Sequence, residues 1–165
     1  MTRIARYDGP RGDLRWSFEI AEDSARQLES YIDDGDVLVA YADDEPVGHL
    51  QLVASSDRTA EIKNMAVVAR YRRHGVGRAL VARAIEVSRD QGRAELLVRT
   101  ATADIGNLRF YQRLGFRCAA IEPDAFTPAN GYPPGLESDG IPVRDAILLS
   151  LDLANTPPLE KQLYA

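Results

Sequence analysis

The chain has 165 residues, 45% of them hydrophobic and 27% charged, the size and make-up of one soluble domain and a poor fit to disorder, collagen-like repeats or coiled coil. Its net charge is −5, and its one cysteine and two widely spaced histidines exclude an internal disulfide and leave a structural zinc site without a ligand cluster. No apolar run approaches the roughly 18 residues of a membrane helix, and the first residues turn polar too soon for a signal peptide, so a cytoplasmic chain with no membrane partner is expected.

Leu14, Trp16, Phe18 and Ile20 alternate with polar residues, which predicts a half-buried strand with Trp16 in the core. Asp23 and Ser24 supply N-cap chemistry for a helix carrying Leu28, Tyr31 and Ile32, stopped by Gly35. The runs 37–42, 47–54 and 60–68, joined by short polar turns, predict an antiparallel meander. The period then changes. Val76, Leu80, Ala84 and Val87 recur at helical spacing up to Gly92, and 94–100 reads as a strand, so 60–100 predicts a strand–helix–strand crossover with parallel strands. A second helix carries Leu108, Phe110, Tyr111 and Leu114 and is closed by Gly115; a short strand follows at 116–121. Residues 123–142 hold five of the nine prolines and three glycines, the make-up of a functional loop or a lid. A last strand is predicted at 143–153, then a tail at 154–165. No repeat or linker divides the chain, so 1–165 is expected to be one domain.

Charge is unevenly spread. Residues 1–60 balance at −7, 61–118 at +7 and 119–165 at −5. A basic middle between acidic flanks points to a local anion site and away from a nucleic-acid surface, because the flanks would repel a long polyphosphate. A solvated Arg-rich helix face is the alternative.

The basic stretch contains Arg72-Arg73-His74-Gly75-Val76-Gly77-Arg78, at a strand-to-helix joint. Backbone N–H groups at such a joint form an anion cradle that the helix dipole strengthens, and glycines let a ligand approach. Two phosphate loops fail against it. The chain has no Gly-Lys-Ser/Thr for a Walker A loop, and Leu80 stands where a dinucleotide fingerprint needs its third glycine.

The stretch resembles instead the R/Q-x-x-G-x-G/A signature of the GNAT superfamily of acyl-CoA-dependent N-acyltransferases, through Arg72, Gly75 and Gly77. Phe110-Tyr111-Gln112-Arg113-Leu114-Gly115-Phe116 is similar to the family's F-Y-x-x-L-G-F segment. The resemblance covers roughly residues 37–121. It implies a mixed α/β fold (also classed α+β): a twisted sheet with helices on both faces and two parallel strands splayed to admit acetyl-CoA, with no metal. It implies that 72–78, including His74, Val76 and Arg78, hold the pyrophosphate. It also implies that Met65, Ala66 and Val67 pair with the pantetheine arm at a bulge, as an added strand would. The asparagine common seven residues before the motif tyrosine is here Asp104, and Asn107, on the next turn, is the candidate substitute.

The resemblance further implies N-acetyl transfer to a primary amine, a small molecule or a lysine side chain, by direct transfer. A homodimer is a permitted assembly. Tyr111 is the candidate acid for the leaving thiolate, since a phenol of ordinary pKa near 10 stays protonated at neutral pH; a core tyrosine is the alternative reading. Glu61 is the candidate base, set against an ordinary outward strand carboxylate. Glu137, Asp139 and Asp145 are alternative carboxylates for binding or deprotonating the amine, and His49, expected half exposed, is a weaker base. Phe126 and Tyr132 are candidate pocket walls alongside Glu137. Cys118, with no acidic or His neighbour in sequence, reads as a buried, inert thiol. A non-catalytic acyl-CoA sensor of the same fold is the rival function.

Overall fold

The computed structural model describes residues 1–159, so the end of the predicted tail lies outside the described residues. Seven strands form one sheet in the order β1 (Thr2–Tyr7), β2 (Asp36–Ala42), β3 (Glu45–Ala54), β4 (Thr59–Val67), β5 (Glu95–Ala101), β9 (Ala146–Asp152) and β6 (Arg117–Glu122). Every neighbouring pair is antiparallel except β4 and β5. The predicted meander is β2–β3–β4, and the crossover between the parallel strands is α3 (Val76–Asp90). A two-stranded hairpin, β7 (Glu137–Ser138) and β8 (Ile141–Pro142), folds within the 123–142 segment.

Two cores cover the two faces. Val76, Leu80, Val81, Ala84 and Ile85 of α3 pack with Tyr111 and Leu114, at the end of α4 (Ile105–Arg113), against Leu38 and Ala40 of β2. On the opposite face α1 (Arg15–Ala21) and α2 (Ala25–Tyr31) bring Phe18, Leu28 and Tyr31 onto Val37 and Val39. Residues 37–40 therefore feed both cores alternately, as strand geometry requires. Each large apolar side chain so buried contributes about 1.5–3 kcal/mol before entropy is counted.

The strand predicted at Leu14–Ile20 is helical instead: a 3-10 turn (Arg11–Leu14) runs into α1. Leu14 and Phe18 are four apart as well as evenly spaced, and the helical period wins because it buries both with Ser17 on one face. Trp16 is not a core residue. It and Ile20 lie on the outer side of α1, 41% and 43% exposed. The α2 cap forms as predicted, with Ser24 Oγ accepting the Gln27 backbone N–H at 3.2 Å.

Two features of β4 position the site. It pairs with β5 only over Thr59–Ile62 against Glu95–Val98; beyond that the strands share no ladder, although β3 still follows β4 to Val67 and β9 follows β5 to Ala101. The parallel pair is splayed. In addition, Gln51 pairs with Asn64 and Leu52 with Ile62, so Lys63 is an extra, bulged residue. The bulge inverts the alternation. Ala60 and Ile62 face the α3 core, then Met65 and Val67 take over that face, while Asn64 turns to α1 and α2.

Among the described residues no helix is long and apolar enough to cross a membrane. None of their His, Cys, Asp and Glu side chains form a group of three placed to hold a metal ion.

Candidate active site

A cavity of about 480 Å³ opens where β4 and β5 part, a volume within the usual range for small-molecule sites. Its floor is Lys63, Asn64 and Met65 on one side and Arg99, Thr100 and Ala101 on the other. The α1–α2 junction, the first two turns of α4 and the 123–143 segment complete its walls.

Residues 72–78 do not line this cavity; at the start of α3 the main chain does the shaping. Gly75 is the N-cap of α3 in the left-handed region at φ 81°, and no side chain caps the first N–H groups of the helix. Uncapped N–H groups and the positive end of the dipole suit an anion. Gly77 also serves helix packing, since a Cβ there would lie 3.3 Å from the Phe110 ring and its absence lets α3 and α4 approach. Arg72 turns back on β4, with its Nε donating to the Val67 carbonyl at 2.9 Å, and His74 Nδ1 lies 2.8 Å from the Arg72 carbonyl. The edge of β4 beyond Ile62 faces the gap without a strand partner, at Met65, Ala66 and Val67. An uncapped helix start and an open strand edge fit a pyrophosphate joined to an extended amide chain.

Tyr111 lines the cavity and is also a core residue, only 4% exposed, in edge contact with Phe110 and Phe116. Burial, then the negative charge of Asp104, pushes its phenol above the ordinary value near 10. An unperturbed phenol is therefore replaced by one that holds its proton more firmly. Asp104 caps α4 by accepting the Asn107 N–H at 2.9 Å, which gives the departure from the asparagine pattern a structural role. Asn107 lines the cavity, and its Nδ2 donates to Thr100 Oγ1 at 3.3 Å.

Glu61 is half-buried in the cavity wall, 4.0 Å from the Lys63 ammonium, which also lies 5.1 Å over the Tyr31 ring. Phe126, Tyr132 and Glu137 all reach the same cavity, and the two rings meet edge to face at 5.1 Å. Asp139 and Asp145 do not line it. Asp145 instead accepts the Asp124 N–H at 2.8 Å.

Two residues are corrected. His49 is fully buried, not half exposed: its Nδ1 is 2.6 Å from Ser17 Oγ, its Nε2 is 2.9 Å from Asn64 Oδ1, and burial pulls its pKa down to about 4. Cys118 is exposed, because β6 is the edge strand and all six of its residues are open to solvent. Reading the sequence also misses Glu22, Tyr31, Lys63 and Asn64 as site residues. The only local sign was the acidic pair Glu22-Asp23 ahead of the α2 cap.

The family model for the acetyltransferase (GNAT) family matches residues 7–116. The chain is 34% identical over 134 residues to YvbK, an uncharacterized N-acetyltransferase of Bacillus subtilis (strain 168), spanning 81% of this chain and 85% of that one. An IAA acetyltransferase from Bacillus cereus ATCC 14579 superposes with a TM-score of 0.84 at 29% identity, covering 92% of this chain and 99% of the other. A Bacillus subtilis acetyltransferase in complex with CoA gives 0.82 at 31% identity, with 92% and 99% covered. A GNAT family acetyltransferase from Elizabethkingia anophelis with acetyl-CoA bound gives 0.84 at 26% identity, with 92% and 97% covered.

Proposed function

Because the chain belongs to the acetyltransferase (GNAT) family, we propose that this acyl-CoA-dependent acetyltransferase moves the acetyl group of acetyl-CoA onto a primary amine by direct transfer in a ternary complex. The observation that carries this reading is the single cavity that touches Met65, Tyr111, Glu61 and the Phe126–Tyr132 wall at once. Donor and acceptor then meet in one chamber, with no need for a covalent enzyme intermediate.

Bound acetyl-CoA supplies an activated acyl carbon, and the chain's own groups do the rest. Backbone N–H groups at 75–78 hold the pyrophosphate with Arg72, Arg73 and Arg78 nearby, and the free edge at Met65–Val67 aligns the pantetheine amides. Glu61, with Lys63 beside it, takes the proton that the amine loses as the C–N bond forms. Tyr111 donates to the sulfur as the C–S bond breaks. Its raised pKa keeps the donor hydrogen in place across the neutral range. Asn107 assists at the cofactor side, and Phe126, Tyr132 and Glu137 contact the acceptor. The reading includes a cytoplasmic location, supported by a lone Cys118 without a disulfide partner.

The test is thiol release from acetyl-CoA against a panel of amines. Release above hydrolysis that depends on the amine supports the proposal; tight acetyl-CoA binding with no amine-dependent release contradicts it.

A further inference from the structure

Glu22 is the cavity carboxylate with the most elaborate support. It is half-buried just past α1. Its Oε2 accepts the Tyr31 hydroxyl at 2.8 Å, and its Oε1 accepts the Ser24 backbone N–H at 3.2 Å. Behind it runs a buried chain of polar groups. Asn64 Nδ2 donates to the Tyr31 oxygen at 3.0 Å and to the Phe18 carbonyl at 3.2 Å, which fixes the amide so that Oδ1 faces His49. An amide oxygen only accepts, so His49 Nε2 carries the ring proton, Nδ1 is the acceptor, and the Ser17 hydroxyl donates to it. At each link from Ser17 through His49, Asn64 and Tyr31, one hydrogen is donated in the direction of Glu22. Such an aligned chain is mutually polarising, and it ends on a group that only accepts, the ionised carboxylate.

Among the described residues Glu22 has no ion-pair partner. Its surroundings are aromatic: Tyr31 on one side and Tyr132, whose phenol is pushed up by burial and then by the Glu22 charge, on the other. The loop that carries Tyr132 is pinned over it from α2, with Arg26 Nη2 donating to the Ala129 carbonyl and Gln27 Nε2 to the Asn130 carbonyl, both at 2.9 Å. A fixed anion held by the Tyr31 hydroxyl and close to Tyr132 inside a cavity is the chemistry that receives an alkylammonium.

We propose that Glu22 is the docking carboxylate for a second, non-reacting ammonium of the acceptor, so that this enzyme selects diamine-type acceptors over monoamines. The assignment rests on the amine-acetyltransferase reading above and names its substrate class. The non-reacting nitrogen is the one that fits. Glu22 already accepts a hydrogen bond on each oxygen, so it offers an ammonium a fixed charge contact that leaves the proton on nitrogen, whereas the attacking nitrogen must lose one and is served by Glu61. Tyr31 and Asn64 act through Glu22 as positioning residues.

The experiment compares kcat/KM for diaminobutane and butylamine, with acetyl-CoA saturating. The wild-type ratio is expected to favour the diamine on the order of 10- to 100-fold, the range of a hydrogen-bonded charge contact. Glu22→Gln should bring the ratio close to one through the diamine KM. Tyr31→Phe should lower it a few-fold, while the rise in Tm with acetyl-CoA persists in both variants to show intact folding. An unchanged ratio in Glu22→Gln, or an equal loss of kcat on both amines, overturns the assignment while leaving the transferase reading in place. Absence of thiol release with every amine overturns both.

Discussion

The cofactor end of the proposed site, the start of α3 and the free edge of β4, is built from main chain, whereas its acceptor end, the cavity beneath the 123–142 segment, is built from side chains. At the first, a left-handed Gly75, an uncapped helix start and an unpaired strand edge present N–H and C=O groups whose positions follow from the fold. At the second, Glu22, Tyr31, Phe126 and Tyr132 come from three separate stretches of chain and meet through packing. A fold can keep the first kind of site while its side chains vary, which suits an invariant cosubstrate. The second kind can be re-cut for each acceptor.

Tyr111 sits between the two ends, and its removal should be the largest single effect. Tyr111→Phe deletes one oxygen and keeps the edge contacts with Phe110 and Phe116. Turnover is expected to fall by roughly 10²–10⁴-fold in steady-state kinetics, with the acetyl-CoA thermal shift retained. Because the phenol is pushed above its ordinary range, the high-pH limb of the rate profile should stay where it is in the variant. Near wild-type turnover would leave Tyr111 a core residue only.

The buried network behind the acceptor end makes that half sensitive to pH through His49. His49 has a folded pKa of about 4 against 6.5 unfolded, so the unfolded chain binds the extra proton between those values. Its contribution to stability is complete above about pH 6.5 and is lost as pH falls toward 4, on the order of 3 kcal/mol in all. Denaturant midpoints at a series of pH values should show this slope, and His49→Gln, which cannot titrate, should flatten it relative to wild type. Identical slopes would show that His49 does not set the acid limb.

A smaller effect should separate the two ends kinetically. Replacing Phe126 and Tyr132 by Ala removes the edge-to-face pair and its contact area, and is expected to raise the acceptor KM about tenfold. The acetyl-CoA KM should barely move. Equal changes in both would mean that the wall serves the cavity as a whole.

The same contrast explains what was legible in the sequence. The cofactor end follows from short-range chemistry: Gly75 and Gly77 at a strand-to-helix joint, the period of Val76, Leu80 and Ala84, and a parallel crossover. The acceptor end does not, because Ser17, His49 and Asn64 are 15 or more residues apart and meet only once α1 lies on β3 and β4. The Lys63 bulge is decisive here, since without it Asn64 would share a face with Ile62 and miss Tyr31. Local pattern failed where two periods coincide, at Leu14 and Phe18. It failed again where neighbours decide burial, at Cys118 on the uncovered edge strand. β1 escaped notice because Arg3 and Arg6 interrupt its apolar pattern at the other edge, where both pair with acids at the surface.

A crystal structure of the protein with coenzyme A tests the division between the two ends most directly. The pyrophosphate oxygens should lie within about 3 Å of backbone N–H groups between Gly75 and Arg78, with the pantetheine amides bonded to β4 beyond Ile62 and the sulfur facing the Tyr111 hydroxyl. Coenzyme A bound with its pyrophosphate away from the start of α3, or with its sulfur outside the cavity, would contradict the account.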